Sequence, residues 1–248
     1  MSNLQQRVIS AIVMAALTLA LTWLGGLPFR LFCGAIAALI FYEWTRMARA
    51  GNGAALGFLP EALIVIFIGA LIAGVPALWL LLLIVILVAV AAIAARIRVA
   101  AQWEASGVAY AALSGFSLAY LRDNNHSGLM AILFLFAVVW ATDIAAYFVG
   151  RAVGGPKLAP SISPGKTQSG ALAAGLLLAI AAGAGNLVQL GLVALALSIV
   201  SQIGDLFESW VKRRHGAKDS SNLIPGHGGV MDRVDGLVAA ALALYVIG

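Results

Sequence analysis

The amino-acid sequence predicts an all-α, polytopic integral membrane protein with about nine transmembrane helices and its active site at the cytoplasmic side. Of 248 residues, 62% are hydrophobic and 10% charged, against roughly 25% charged in soluble domains. Mean hydropathy is +1.02. The apolar runs are long and unbroken. Only helices and closed barrels satisfy their backbone groups in hydrocarbon, and barrel strands would alternate over segments of about 10 residues, so helices are predicted.

Glycine, proline, asparagine and charge divide the chain into spans at about 8–24, 28–45, 58–74, 77–95, 104–121, 128–149, 169–184, 188–210 and 235–248. The first follows Met1–Arg7 without an A-x-A-like cleavage site, so it reads as a retained helix, not a signal peptide. The second opens at Pro28 and closes at Arg46. The third and fourth are separated by the GVPA turn at 74–77, and the fourth closes at Arg96. The fifth is the weakest, diluted by Glu104, Ser106, Ser114 and Ser117. The sixth ends at Gly150–Arg151, and the GAGN turn at 183–186 separates the seventh from the eighth. The ninth has 14 residues, short of the roughly 20 that cross untilted. There is no internal repeat, so residues 1–248 read as one integral domain, with N-terminal spans in 1–125 and the chemistry-bearing helices and loops in 126–248. The single cysteine, Cys33, excludes an intramolecular disulfide and a cysteine-rich metal site.

Lysine and arginine set the orientation. With the N-terminus inside, the inner segments hold Arg7, Arg46, Arg49, Arg96, Arg98, Arg151, Lys157, Lys166, Lys212, Arg213, Arg214, Lys218 and Arg233, and the outer ones only Arg30 and Arg122. The two long polar loops, about 150–168 and 211–234, then face the cytoplasm, where nucleotides and divalent metals are found. Topology and attraction to anionic lipid account for the N-terminal-half arginines in the basic excess of +5, and less well for the cations of the two C-terminal loops. No nucleic-acid partner is predicted. The chain's compactness and the absence of a transit segment point to a bacterial plasma (inner) membrane.

Carboxylates inside membrane spans are costly and face a wet cavity or a partner. In the eighth span Asp205, Glu208, Ser209 and Lys212 share one helical face. A Glu208–Lys212 salt bridge would account for that pair but not for Asp205. Asp143 is a similar anomaly in the sixth span, open to reading as a site carboxylate or as a structural contact between helices. The loop after it, GRAVGGPKLAPSISPGKTQSG, offers glycines for close backbone approach to an anion and mobile charges at Lys157 and Lys166, though a plain turn-rich loop would look similar. The stretch KDSSNLIPGHGGVMDRVDG at 218–236 is more specific. Gly226, Gly228 and Gly229 around His227 read as a backbone nest, and Asp232 and Asp235 lie three apart where the ninth helix begins. Two carboxylates near a third from another helix suit Mg²⁺, and Mg²⁺ suits phosphates. Lys212, Arg213, Lys218 and Arg233 can neutralise those phosphates.

Read together, the residues Ser209, Lys212, Arg213, Lys218, Asp219, Ser220, Pro225, Gly226, His227, Gly228, Gly229, Asp232, Arg233 and Asp235 resemble the signature of the phosphatidate cytidylyltransferases. Upstream, Asp143, Tyr147, Gly150–Arg151, Ser163–Pro164, Lys166–Thr167 and Gly170 fit the same family. One departure is Ser169, where the family commonly has Glu or Gln. The resemblance implies transfer of CMP from CTP to phosphatidic acid, giving CDP-diacylglycerol and pyrophosphate. It implies Mg²⁺ held by Asp205 and Asp232, with Asp235 and Asp143 in support, and a second cation such as K⁺. It implies Lys166, Lys212, Lys218 and Arg233 on phosphates, with Ser163, Ser209, Arg213, Asp219 and the His227–Gly228–Gly229 segment completing substrate binding. Acyl chains would remain in the lipid bilayer, and a homodimer accords with the family. The rival readings are a CTP-dependent lipid kinase, which would release CDP, and a transporter, which would favour repeats and opposing polar sites.

Overall fold

The structure is a computed structural model that describes residues 3–52, 58–97, 102–122, 126–183 and 188–247. Among them are nine helices: α1 (Asn3–Leu24), α2 (Gly26–Asn52), α3 (Leu59–Ala73), α4 (Ala77–Ile97), α5 (Gln102–Arg122), α6 (His126–Val153), α7 (Gln168–Gly183), α8 (Val188–Arg214) and α9 (Met231–Ile247). Among the described residues a helix lies over each predicted run. Arg98 and most of the turn between α7 and α8 lie outside the described residues. Five helices, α1, α2, α4, α6 and α8, are long and apolar enough to cross a membrane. The protein is therefore a helical, multi-pass membrane protein.

The chain forms two compact units. One comprises Met1–Leu129 and Arg214–Arg233, the other Met130–Arg213 and Val234–Gly248.

In the first unit α5 is the central helix, packed against α2, α3 and α4. This explains its weak sequence signal. Glu104, Ser114 and Ser117 are buried inside protein, where small residues that permit close approach matter more than hydropathy. A Cβ on Gly107 would meet the Trp44 ring at 2.6 Å, and one on Gly115 would meet the Ala37 methyl at 3.1 Å. Arg49 pairs with both Glu61 and Glu104 at 2.6 Å, tying α2 to α3 and α5. The two arginines assigned to outer segments cap helix ends. Arg122 Nε donates to Thr22 O at 2.6 Å near the end of α1, and Arg30 Nη1 to Ile72 O at 3.4 Å near the end of α3. Cations are stabilising at those negative termini.

In the second unit, the predicted loop at 150–168 contains a short antiparallel hairpin, β1 (Lys157–Ala159) and β2 (Ser163–Thr167), with Lys157 opposite Thr167 and Ala159 opposite Ser163. The hairpin is a small addition to an otherwise all-α fold. The turn formers Pro160 and Ser161 reverse the chain, and Ile162 N closes the turn on Ala159 O at 3.2 Å. Thr167 Oγ1 then accepts from Gly170 N at 3.2 Å, an N-cap that starts α7. Two glycine contacts set the packing. A Cβ on Gly170 would meet Ala146 O at 2.5 Å, and one on Gly204 would meet Ala239 Cβ at 2.6 Å and Asp235 O at 2.8 Å. Thr142 and Ser198 bond at 3.0 Å in the buried α6–α8 contact.

Candidate active site

The close α8–α9 contact in the second unit assembles a charged cluster. Gly204 and Gly236 have no side chains to hold the helices apart, so Asp235 lies beside Glu208 and near Asp205 and Lys212. Lys166 reaches from β2 to form an ion pair with Asp205, and Ser209 Oγ donates to Asp205 Oδ1 at 3.3 Å. Lys212 pairs with the fully buried Glu208 at 3.2 Å, the helical i,i+4 bridge open at the sequence level. Arg213 Nε donates to Ile162 O at 3.3 Å in the hairpin turn. Ser163 is half-buried on β2, and Asp143 is exposed on α6. Ser169, the departure from the family pattern, donates through its hydroxyl to Gly154 O, which fastens the start of α7 to the end of α6.

Three carboxylates and two ammonium groups thus share one neighbourhood. A carboxyl–carboxyl contact such as Asp235–Glu208 is held by a shared proton or a cation. Among the described residues, no three acidic, imidazole or thiol groups converge tightly enough to hold an ion unaided. That donor set fits Mg²⁺, which is usually bound by one or two carboxylates and completes its shell with water and substrate phosphates.

The first unit carries the 218–233 segment. Ile224 N donates to Gly228 O at 2.8 Å and His227 N to Ile224 O at 3.0 Å, closing a tight turn. Gly226 and Gly228 adopt φ of 76° and 82°, which side-chain-bearing residues rarely tolerate. A Cβ on Gly228 would also meet Asp232 Oδ2 at 2.7 Å. That oxygen accepts from Gly229 N at 2.8 Å and from Ser220 N and Ser220 Oγ at 2.9 Å. Asp232 and Asp235, three residues apart at the start of α9, therefore have different partners: Asp232 fastens the loop, whereas Asp235 meets Glu208.

The loop borders a cavity of about 630 Å³ lined by Arg7, Lys218, Asp219, His227, Gly228 and Arg233, among others. Arg7 enters because α1 docks on the turn: Ser10 Oγ lies 2.8 Å from His227 Nδ1 and 3.2 Å from Pro225 O. A second cavity of about 350 Å³ is lined by Arg46, His215, Asp219 and Asn222. Burial, and then Arg214, push the His215 imidazole below its ordinary value. Its ring sits edge-on to Trp103, with ring centres 4.7 Å apart.

Several of these residues escape the sequence reading. Arg7 and Arg46 count there only as topology markers, and Ser10 is passed over. So is Glu43, which is fully buried on α2 and bonds to the loop through Ser220 Oγ, Ser221 Oγ, Val230 N and Met231 N. The signal for it was present: a carboxylate in an apolar span, the same anomaly that singles out Asp205 and Asp143.

Comparison with known proteins bears on the chemistry. A profile of the Cytidylyltransferase family matches residues 5–248. A protein of Brucella suis biovar 1, strain 1330, named phosphatidate cytidylyltransferase, is 51% identical over 255 residues, covering 100% of this chain and 94% of its own. A Haemophilus influenzae protein of the same name is 35% identical over 285 residues, covering 96% of each chain. One from Bacillus subtilis is 41% identical over 136 residues, about half of each chain (51% and 50%).

Proposed function

This chain belongs to the cytidylyltransferase family, and from that premise we infer a phosphatidate cytidylyltransferase, a nucleotidyltransferase of phospholipid biosynthesis. It transfers CMP from CTP to phosphatidic acid. A phosphate oxygen of the lipid bonds to the α-phosphorus of CTP, the bond from that phosphorus to the bridging oxygen breaks, and pyrophosphate leaves with the bond's electron pair. The nucleophile is already ionised, so no strong general base is needed. The difficulty is bringing two polyanions together and stabilising charge on the leaving group, which fixed cations do best in a preorganised site.

One observation supports the reading most directly: Arg7, Lys218 and Arg233 ring a single cavity beside the His227–Gly228–Gly229 turn. We assign the triphosphate of CTP to that cavity, with Asp219 and the loop backbone orienting it. Lys166 and Lys212 belong to the carboxylate cluster and act on phosphate groups there, with Ser163, Ser209 and Arg213 completing substrate binding. Asp205 and Asp232 are each assigned a part in Mg²⁺ binding, with Asp235 and Asp143 as supporting carboxylates and K⁺ as a second cation. When bound, Mg²⁺ supplies positive charge that offsets repulsion between the phosphates. Acyl chains stay in the bilayer. The same reading carries nine crossings, cytoplasmic loops, a location in the bacterial inner membrane and a homodimer.

The test is purified protein in detergent with labelled CTP, phosphatidate and Mg²⁺. CDP-diacylglycerol and pyrophosphate should appear in equal amounts. Release of CDP would instead indicate a lipid kinase and overturn the assignment.

A further inference from the structure

We propose that Glu43 is a positioning residue for the reaction, acting through Ser220, Ser221 and the first residues of α9 to fix the loop that carries Lys218, His227 and Arg233. The proposal rests on the reading that the cavity beside this loop receives the phosphates of CTP.

Glu43 lies on a helix apolar enough to cross a membrane and has no exposed surface. A carboxylate in that setting is strongly destabilising unless its lone pairs are engaged. Here both oxygens are. Oε1 accepts from Ser221 Oγ at 2.6 Å and Val230 N at 2.8 Å; Oε2 accepts from Met231 N at 2.7 Å and Ser220 Oγ at 2.9 Å. The two amides stand at the opening of α9, where N–H groups have no partner within the helix. The Glu43 carboxylate therefore does the work of an N-cap from a distant helix, at the positive end of the α9 dipole.

The four donors also bracket the functional turn. Ser220 and Ser221 precede it, and Val230 and Met231 follow it, so one carboxylate clamps both ends of residues 222–229. Ser220 adds a link to Asp232: its hydroxyl lies 2.9 Å from Glu43 Oε2 and 2.9 Å from Asp232 Oδ2. One hydroxyl proton serves one of these acceptors at a time, so a change at Glu43 is felt at Asp232. Gly229 completes the clamp, because a Cβ there would overlap Ser220 Oγ and both Glu43 carboxylate oxygens. Neither Glu43 nor Ser221 lines the cavity, so their influence on substrate runs through the loop.

The experiment compares full-length wild type with Glu43→Gln, Ser220→Ala and Ser221→Ala, measuring KM for CTP and for phosphatidate, kcat, and melting temperature in detergent. An amide keeps the shape of Glu43 but presents an NH₂ group to one of the two donor pairs, so the clamp opens at one end. Glu43→Gln should raise KM for CTP by about tenfold while leaving KM for phosphatidate within about twofold. If both KM values are unchanged and activity falls only with the folded fraction, Glu43 is merely structural and the proposal is overturned. If Glu43→Gln fails to fold, Ser221→Ala decides, since it removes a single donor: a rise in KM for CTP of roughly threefold supports the clamp, and no change overturns it. A rise in KM for phosphatidate alone keeps Glu43 as a positioning residue and overturns only the assignment of the cavity to CTP.

Discussion

Replacing Asp232 with asparagine separates two roles that a loss of activity alone would confuse. The Asp232 Oδ2 atom accepts three hydrogen bonds, from Gly229 N, Ser220 N and Ser220 Oγ. The hydroxyl has Glu43 as an alternative acceptor, so the two backbone amides are the donors that depend on Asp232. A hydrogen bond to a charged acceptor contributes about 1.5–3 kcal/mol and a neutral one about 1 kcal/mol. Neutralising the acceptor of two such bonds therefore costs about 2 kcal/mol, a figure placed at the low end because Asp232 is only half-buried. For a chain of this size that is a fall in melting temperature of roughly 4–8 °C. The assay is thermal unfolding in detergent beside CDP-diacylglycerol formation by the folded protein. If Asp232 both holds the loop and serves the metal, the melting temperature falls by that amount and activity at optimal Mg²⁺ falls at least about a hundredfold. Loss of stability with near-normal activity would remove Asp232 from the metal site. An unchanged melting temperature would refute the loop energetics themselves.

Lys166→Met removes the cation paired with Asp205. Activity should fall about a hundredfold or more, and the melting temperature should fall as well, because the Asp205 side chain, only 24% exposed, loses its partner; activity above a tenth of wild type would exclude Lys166 from phosphate binding. Arg7→Ala should raise KM for CTP by about tenfold with no change in melting temperature, since Arg7 is exposed; an unchanged KM would return it to a topology marker. His215 is held below its ordinary value by burial and then by Arg214, so its neutral form is favoured in the fold. The unfolded chain takes up a proton first as pH falls below about 6.5, and stability should drop through that range. His215→Gln should flatten the profile. A wild-type melting temperature constant between pH 7.5 and 5.5 would contradict the assigned environment.

Helix positions were legible because hydrocarbon admits few solutions: an apolar run long enough to cross must be helical, and glycine, proline and charge mark where it stops. The fifth span read as weak because hydropathy measures fitness for lipid, while α5 faces other helices. The hairpin at 157–167 was read only as a loop, since strands of three and five residues leave almost no periodic signal. For the site, the polar residues stood out against an apolar background, so Lys166, Asp205, Lys212 and the 218–235 cluster were all visible. Their partnerships were not. Asp232 and Asp235 look equivalent at a spacing of three, yet one binds backbone amides and the other meets Glu208.

The one-dimensional chain, through its polarity pattern and motifs, determined that this is a helical membrane protein and marked out the polar residues proposed for phosphate chemistry. Only the folded structure decided that Arg7, Ser10 and Glu43, more than 170 positions before the loop, hold and line it. The reason is physical: lipid solubility and local turn geometry act between neighbours along the chain, whereas a buried carboxylate finds its donors wherever packing brings unpaired N–H and O–H groups, and no local pattern records that choice.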